Sequence, residues 1–264
     1  MKCDLGTNPQ PISTHPDVDG TPQSEARRDA PTSCSELSQR VASPRQDSRQ
    51  FRLPSKSALD HARARERHFG RSWEELRQWP ELELEIGCGV GWHSLKRAIS
   101  LSQARERKRG LIAIERTREK FEAFARRWTR HTPEQTAHLT AIQADARLWC
   151  AREIHSPILD QVWILYPNPE QGRPQRNWLR EPFFSHLSQV VKPKGRLTLA
   201  TNSETYFRDA QEALQLWKHV WKLDSQKSWS QATHVDFSPR THFEKKYFER
   251  GEHLFELELE RCAE

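Results

Sequence analysis

The sequence predicts an α/β fold: a doubly wound, mostly parallel sheet with helices on both faces and an antiparallel strand at the C-terminus. Three observations carry this. From Leu82 onward, short apolar runs alternate with helix-sized amphipathic segments, the pattern of repeated βαβ units. The first run opens into a glycine-rich turn, Gly87 to Gly91, as where a strand hands over to a helix around a closely held ligand. The last run, "HLFELELER", alternates with period two, as a half-buried antiparallel strand does. One such strand at the end of a parallel sheet is a common variation.

Each element has its own grounds. Residues 1–56 are rich in Pro, Ser, Thr, Gln and Arg and poor in large apolar side chains. Such a segment buries too little surface to offset the entropy of ordering it. It is expected to be a disordered tail, with 57–264 forming one domain. "SALDHARARERHFGRSWEELRQW" reads as a charged helical stretch. "LELEI" (Leu82–Ile86), "GLIAIE" (Gly110–Glu115), "AHLTAIQAD", "DQVWILY" and "RLTLAT" read as five strands. Between them "SLKRAISLSQARER", "REKFEAFARRWTR" and "REPFFSHLSQVV" read as helices, the last stopped by "KPKG", where Pro193 and Gly195 punctuate the chain. "SETYFRDAQEALQLWKHV" is a further helix before the terminal strand. The whole is Rossmann-like.

The 264 residues carry a formal net charge of +6, and 30% of them are charged. No apolar run approaches the length of a membrane span, and the modest basic excess permits a polyanionic partner such as nucleic acid. The five cysteines are scattered, without a C-x-x-C pair. A zinc site or disulfide framework is therefore not expected, and a reducing, cytoplasmic setting is. The N-terminus has no apolar core of a secretory signal, and its acidic residues speak against a transit peptide. The twelve histidines show no H-x-x-x-H or H-x-H spacing, so no metal is expected.

The chemistry is expected at the carboxyl ends of the strands, where open α/β sheets bind ligands. The first strand ends in Glu85-Ile86-Gly87-Cys88-Gly89-Val90-Gly91. A dinucleotide fingerprint would need a third glycine at position 92, which holds Trp92. The G-x-G-x-G spacing suits a nucleoside cofactor without a pyrophosphate, such as S-adenosylmethionine, and disfavours an NAD oxidoreductase. The second strand ends in Glu115, placed to accept both hydroxyls of a ribose. The third ends in Ala144-Asp145, where the carboxylate can accept from an adenine amino group. The fourth runs into "YPNPEQGRPQRNW", with Asn168 where a carboxylate would be expected.

From about Leu82 to Arg261 the chain resembles the tRNA (guanine-N7-)-methyltransferases. The stretches that carry the resemblance are "LEIGCGVGWHSL", "AIERTREK", "ADARLWC", "YPNPEQGRPQRNWLREPFFSHLSQVVKPKGRLTLATNSETY" and "RTHFEKKYFERG". Y-P-N-P corresponds to the family's aromatic-Pro-Asp-Pro, A-T-N to its A-T-D, and T-H-F-E to its T-x-F-E. The resemblance implies that Glu85, Gly87, Gly89, Gly91, Glu115, Asp145 and Asn168 hold S-adenosylmethionine. It places Asn168 at the catalytic aspartate position and Asn202 at a substrate-contacting aspartate. Thr241 and Glu244 would meet cofactor or guanine, and Arg173 would bind substrate beside the loop. Glu170 and Gly172 stand where the family has Trp and Lys. The implied partner is tRNA.

Methyl transfer from a sulfonium is an in-line displacement, and guanine N7 offers a free lone pair at neutral pH. The site therefore has to position the acceptor rather than deprotonate it. A carboxylate at 168 would orient guanine and offset the charge developing on the ring. Asn168 can accept a hydrogen bond but supplies no charge, a loss on the order of 1.5–3 kcal/mol. Asn168 and Asn202 leave three readings open: a guanine-N7 enzyme, a relative methylating another RNA base or a small molecule, and a binding protein without turnover. Of the ten tryptophans, Trp92, Trp149 and Trp163 are expected in core or pocket wall, and Trp178 to pack rather than stack on a base.

Overall fold

β2 (Glu81–Ile86) lies at the centre of an eight-stranded sheet because both of its faces can be buried. Leu82, Leu84 and Ile86 point to one side and Glu83 and Glu85 to the other, all of them buried. The sheet belongs to a computed structural model that describes residues 51–104, 108–168, 177–231 and 237–263. Arg105 to Arg107 and Arg173 lie outside the described residues, as does the expected tail up to residue 50.

With β1 at Arg67–Gly70, β7 at Trp221–Trp229 and β8 at Leu254–Arg261, the strand order is β1-β4-β3-β2-β5-β6-β8-β7. β3 (Arg109–Glu115), β4 (Leu139–Gln143), β5 (Leu159–Leu165) and β6 (Val191–Thr201) run parallel to β2. The chain builds outward from β2 to β3 and β4, then returns to β5 on the other side. The switch point therefore opens between the carboxyl ends of β2 and β5. α3 (Trp92–Gln103) and α4 (Arg118–Trp128) cover the face holding Leu111, Ala113 and Ala141, and the short α5 (Pro133–Thr136) lies against α3. α6 (Ala146–Glu153), α7 (Phe183–Val190) and α8 (Glu204–Leu214) cover the larger core on the opposite face.

Three expectations change. The first charged stretch is not one helix: it breaks into α1 (Lys56–Arg63), β1 (Arg67–Gly70) and α2 (Trp73–Leu76). Pairing with β4 draws Arg67–Gly70 into an antiparallel edge strand despite its helical composition. Gly70, at φ +92°, then turns the chain, and Ser72 caps α2. Second, β6 begins at Val191 and runs through "KPKG" rather than after it. Its pairing with β5 shifts register there, and Lys194 takes φ 64°. Third, β7 (Trp221–Trp229) follows α8 after a short 3₁₀ turn. β8 (Leu254–Arg261) is antiparallel, as expected, but is clasped between β6 and β7, and β7 forms the edge. Most of β7 is exposed, so it carries little apolar alternation to reveal it.

Phe51 already packs on this domain. Its ring meets Phe183 edge-on at 5.5 Å and His186 at 5.6 Å, and its amide donates to Ser185 Oγ at 3.0 Å. No helix among the described residues is long and apolar enough to cross a membrane.

Candidate active site at the carboxyl edge of the sheet

Strand register aligns the expected site residues. Ile86 pairs with Ile114 and Ile164, Glu115 with Gln143, and Leu165 with Ala200, so these parallel strands end at one edge. Gly87 N–H and Cys88 N–H both donate to the Ile114 carbonyl, at 2.8 and 3.1 Å, which folds the glycine turn over the end of β3.

The three glycines of that turn serve different ends. All have positive φ: 76° at Gly87, 59° at Gly89 and 73° at Gly91. A Cβ on Gly87 or Gly89 would meet nothing within 4 Å, so the ground before them is open to a ligand. A Cβ on Gly91 would fall 2.0 Å from the Phe124 ring, which makes Gly91 a packing glycine between α3 and α4.

Glu115 is 5% exposed. Its Oε2 accepts from Gly89 N–H at 2.9 Å and its Oε1 from Thr117 N–H at 2.7 Å. Each oxygen keeps another lone pair, which is what a pair of ribose hydroxyls would need. Glu85 accepts from Ser94 Oγ at 2.6 Å, and His93 Nδ1 lies 3.0 Å from the same oxygen but off the line of a hydrogen bond. Glu83, one pleat earlier, is bound by Arg97 at 2.9 and 2.5 Å and by the Trp163 indole N–H at 2.9 Å. Buried carboxylates persist only when paired in this way. The Cys88 thiol in the turn is pushed well up by burial and then by the charges of Glu85 and Glu115, so it is a neutral wall rather than a nucleophile.

Asp145 caps α6 and is gripped by Arg147 through its backbone N–H, Nε and a terminal nitrogen at 2.9, 3.1 and 2.8 Å. Burial works to raise its pKa, but the hydrogen bonds and charge of Arg147 outweigh it and the net shift is downward. The carboxylate therefore stays ionised and half-exposed.

The chain closes over this edge from its C-terminal part. Thr241, His242 and Phe243 share a cleft with Glu85, Gly87 and Gly89, and with Leu165, the last residue of β5. The cleft has about 490 Å³ of empty space including its mouth. Thr241 caps α9 (His242–Glu249) by accepting from Glu244 N–H at 2.9 Å. Glu244 is fully buried, and its carboxylate takes Arg240 backbone N–H at 2.5 Å and the guanidinium at 2.9 and 2.5 Å. Arg240 also pairs with Glu256 of β8 at 2.5 Å, which ties the approach to α9 onto the sheet. Trp92 opens α3 at the cleft; His242 stacks on its ring at 5.7 Å, and Lys96 and Arg127 flank it.

At the end of β5, Tyr166 adopts φ 55° and the chain turns through Pro167 to Asn168, which is exposed. Tyr166 is held by its N–H to the Ala200 carbonyl at 2.7 Å. Its buried hydroxyl has no hydrogen-bond partner among the described residues, and burial, then the charge of Glu244, raises its pKa. Strained backbone at a loop of this kind is a common feature of functional sites. Asn202, just past β6, donates Nδ2–H to Glu252 Oε2 at 2.8 Å.

The edge thus gathers Glu85, Gly87, Gly89, Glu115, Thr241, Asn168 and Asn202, while Asp145 stands at the end of β4 and Glu244 sits beneath the surface. Arg180, on the far side of the loop after β5, is engaged by Asp209 at 2.6 Å and Glu212 at 3.3 Å. Trp149 is core, Trp163 packs half-buried against the core, and Trp178 packs edge-on against Phe183 at 6.0 Å. Sequence reading missed Lys120 and Phe243 as cleft walls. Lys120 had a signal, since it stands on the first turn of the helix after Glu115. Among the described residues no cluster of side chains could hold a metal ion.

The methyltransferase family model Methyltransf_4 matches residues 80–257. A tRNA (guanine-N(7)-)-methyltransferase of Rubrobacter xylanophilus is 25% identical over 185 residues, which cover 68% of this chain and 76% of that protein. The enzyme of the same name from Nitrosococcus oceani is 25% identical over 183 residues, covering 69% and 72%. Among solved structures, a 16S rRNA (adenine(1408)-N(1))-methyltransferase from Catenulisporales acidiphilia superposes with a TM-score of 0.52 at 14% identity. It covers 72% of this chain and 90% of its own, a likeness of fold.

Proposed function

The chain belongs to the methyltransferase family whose pattern runs through residues 80–257, and on that premise we propose that it methylates N7 of a guanine in tRNA. S-adenosylmethionine is its cofactor and, when bound, supplies an electrophilic methyl group. One observation carries the reading. The T-H-F-E segment, through Thr241 to Phe243, lines the same cleft as Gly87, Gly89 and the end of β5. The cofactor turn and the segments that mark the guanine-N7 enzymes therefore converge on one space. The relatives named for that activity support the substrate.

The residues divide the work. Open ground before Gly87 and Gly89 would admit the cofactor, and Glu115 would accept its ribose hydroxyls. Glu85 supports the turn from beneath through Ser94. Asn168, exposed beyond β5, meets the acceptor base with its amide oxygen. No residue has to remove a proton, because N7 carries none, so catalysis reduces to aligning the lone pair behind the methyl carbon. Arg173 contacts the tRNA backbone, which positions the RNA without reading its sequence. The test is incubation of unmodified tRNA with the protein and methyl-labelled cofactor, followed by digestion to nucleosides. Label in 7-methylguanosine is expected; label in another nucleoside, or none, overturns the reading.

A further inference from the structure

Guanine presents N1–H and its 2-amino group as adjacent donors, an edge that a carboxylate accepts with both oxygens. Asn168 and Asn202 carry no charge to meet it. Among the described residues, the other carboxylates named at this edge are committed elsewhere. Glu244 is fully buried on Arg240, Glu85 is held by Ser94 and Asp145 by Arg147, and Glu115, anchored by two backbone N–H groups, keeps its remaining lone pairs for the cofactor ribose.

Glu252 differs from these. It lies in the turn between α9 and β8, just ahead of Phe255, which pairs with Thr201, so it stands beside the end of β6. Its side chain is 35% exposed, and among the described residues its Oε1 has only a long ion pair, with Arg250 at 3.9 Å. Its Oε2 accepts from Asn202 at 2.8 Å. An aspartate at 202 would set two carboxylates against each other at this distance, whereas asparagine donates. The negative charge at this end of β6 has not been deleted; it stands on Glu252.

We propose that Glu252, oriented by Asn202, reads the donor edge of the acceptor guanine and sets the specificity for it. This rests on the guanine-N7 reading above. Asn202 is a positioning residue: its amide donates to Oε2, which keeps a second lone pair, and Oε1 meets Arg250 only at 3.9 Å, so both oxygens can receive the two donors of guanine.

The experiment compares kcat/KM on two tRNAs, carrying guanosine or inosine at the position the unaltered enzyme methylates. Inosine lacks the 2-amino group. The unaltered enzyme is expected to prefer guanosine by about tenfold or more, the worth of one charge-assisted hydrogen bond. Glu252→Gln keeps the size of the side chain and an oxygen for Asn202. It is expected to lose the preference and to lower kcat/KM on the guanosine tRNA by roughly ten- to hundredfold, leaving the cofactor KM unchanged. The double variant Asn202→Asp with Glu252→Gln returns the charge to position 202 and is expected to regain most of both. Full activity and unchanged preference in Glu252→Gln, or a double variant no better than the single one, would overturn the proposal. Failure of the unaltered enzyme to methylate guanine at N7 is a separate result, which removes the functional reading itself.

Discussion

Asn168 ends β5 with an exposed amide where the family resemblance places an aspartate. Because the reaction needs no base, the change takes charge stabilisation from the transition state but leaves the chemistry possible. Asn168→Asp is expected to raise kcat on tRNA by about tenfold or more, following the worth of a charge-assisted hydrogen bond; steady-state kinetics decide it. The glycine turn separates folding from binding in the same way. Gly91→Ala drives a methyl into Phe124 at positive φ and is expected to cost about 2–5 kcal/mol of stability. Gly89→Ala meets open space and is expected to cost about 1–2 kcal/mol, but to weaken cofactor binding sharply. Urea unfolding and calorimetric titration with S-adenosylmethionine distinguish the two. Glu115 and the glycines were legible in the sequence because strand-end position and spacing are local facts. Glu252 was not: its significance lies in a contact with Asn202 across fifty residues, and no spacing rule reports such a pair. Neither could composition say that Glu244 would be buried on Arg240 while Thr241, three residues before it, lines the cleft.

At the scale of elements, α9 brings His242 and Phe243 to the wall of the cleft, and a buried charge cluster sets its place. Arg240 joins Glu244 at the start of α9 to Glu256 of β8. Arg240→Ala leaves two buried carboxylates without their shared cation and is expected to cost about 3–5 kcal/mol, measured by denaturant unfolding, with guanine methylation falling as α9 loses its anchor. The helices and central strands were readable because their apolar periodicities are strong: β2, β3, β4 and β5 appear close to their expected bounds. The edge strands were not. β1 consists of four residues with helical composition, and β7 is polar along most of its length. Both exist because neighbours supply hydrogen-bond partners, a tertiary cause that local propensity does not contain.

Over the whole molecule, stability carries a pH signature from the joint that Phe51 makes with α7. His186 sits in that joint between Phe51 and Phe183. Burial lowers its pKa from the ordinary 6.5, the charge of His155 adding to this and a Cys150 backbone contact opposing it. The folded protein therefore binds this proton less readily than the unfolded chain. The ring's contribution is complete above about pH 6.5 and is lost as the pH falls through the lower folded value. Unfolding midpoints are expected to fall between pH 7.5 and pH 5, and to fall less in His186→Phe; an equal fall in both would dismiss the assignment. The wider organisation explains why one edge holds everything. The chain reverses direction at β2, opening the cleft between β2 and β5, and the antiparallel β8 brings α9 and Glu252 back to that same edge.

The central claim is that the methyl group goes to N7 rather than to an exocyclic amine or another base. Borohydride reduction followed by aniline treatment cuts RNA at 7-methylguanosine and leaves guanosine methylated elsewhere intact. Applied to unmodified tRNA after incubation with the protein and S-adenosylmethionine, it is predicted to give cofactor-dependent cleavage at a guanosine. Transfer of label without cleavage, or no transfer by a protein that calorimetry shows to bind the cofactor, would contradict the account.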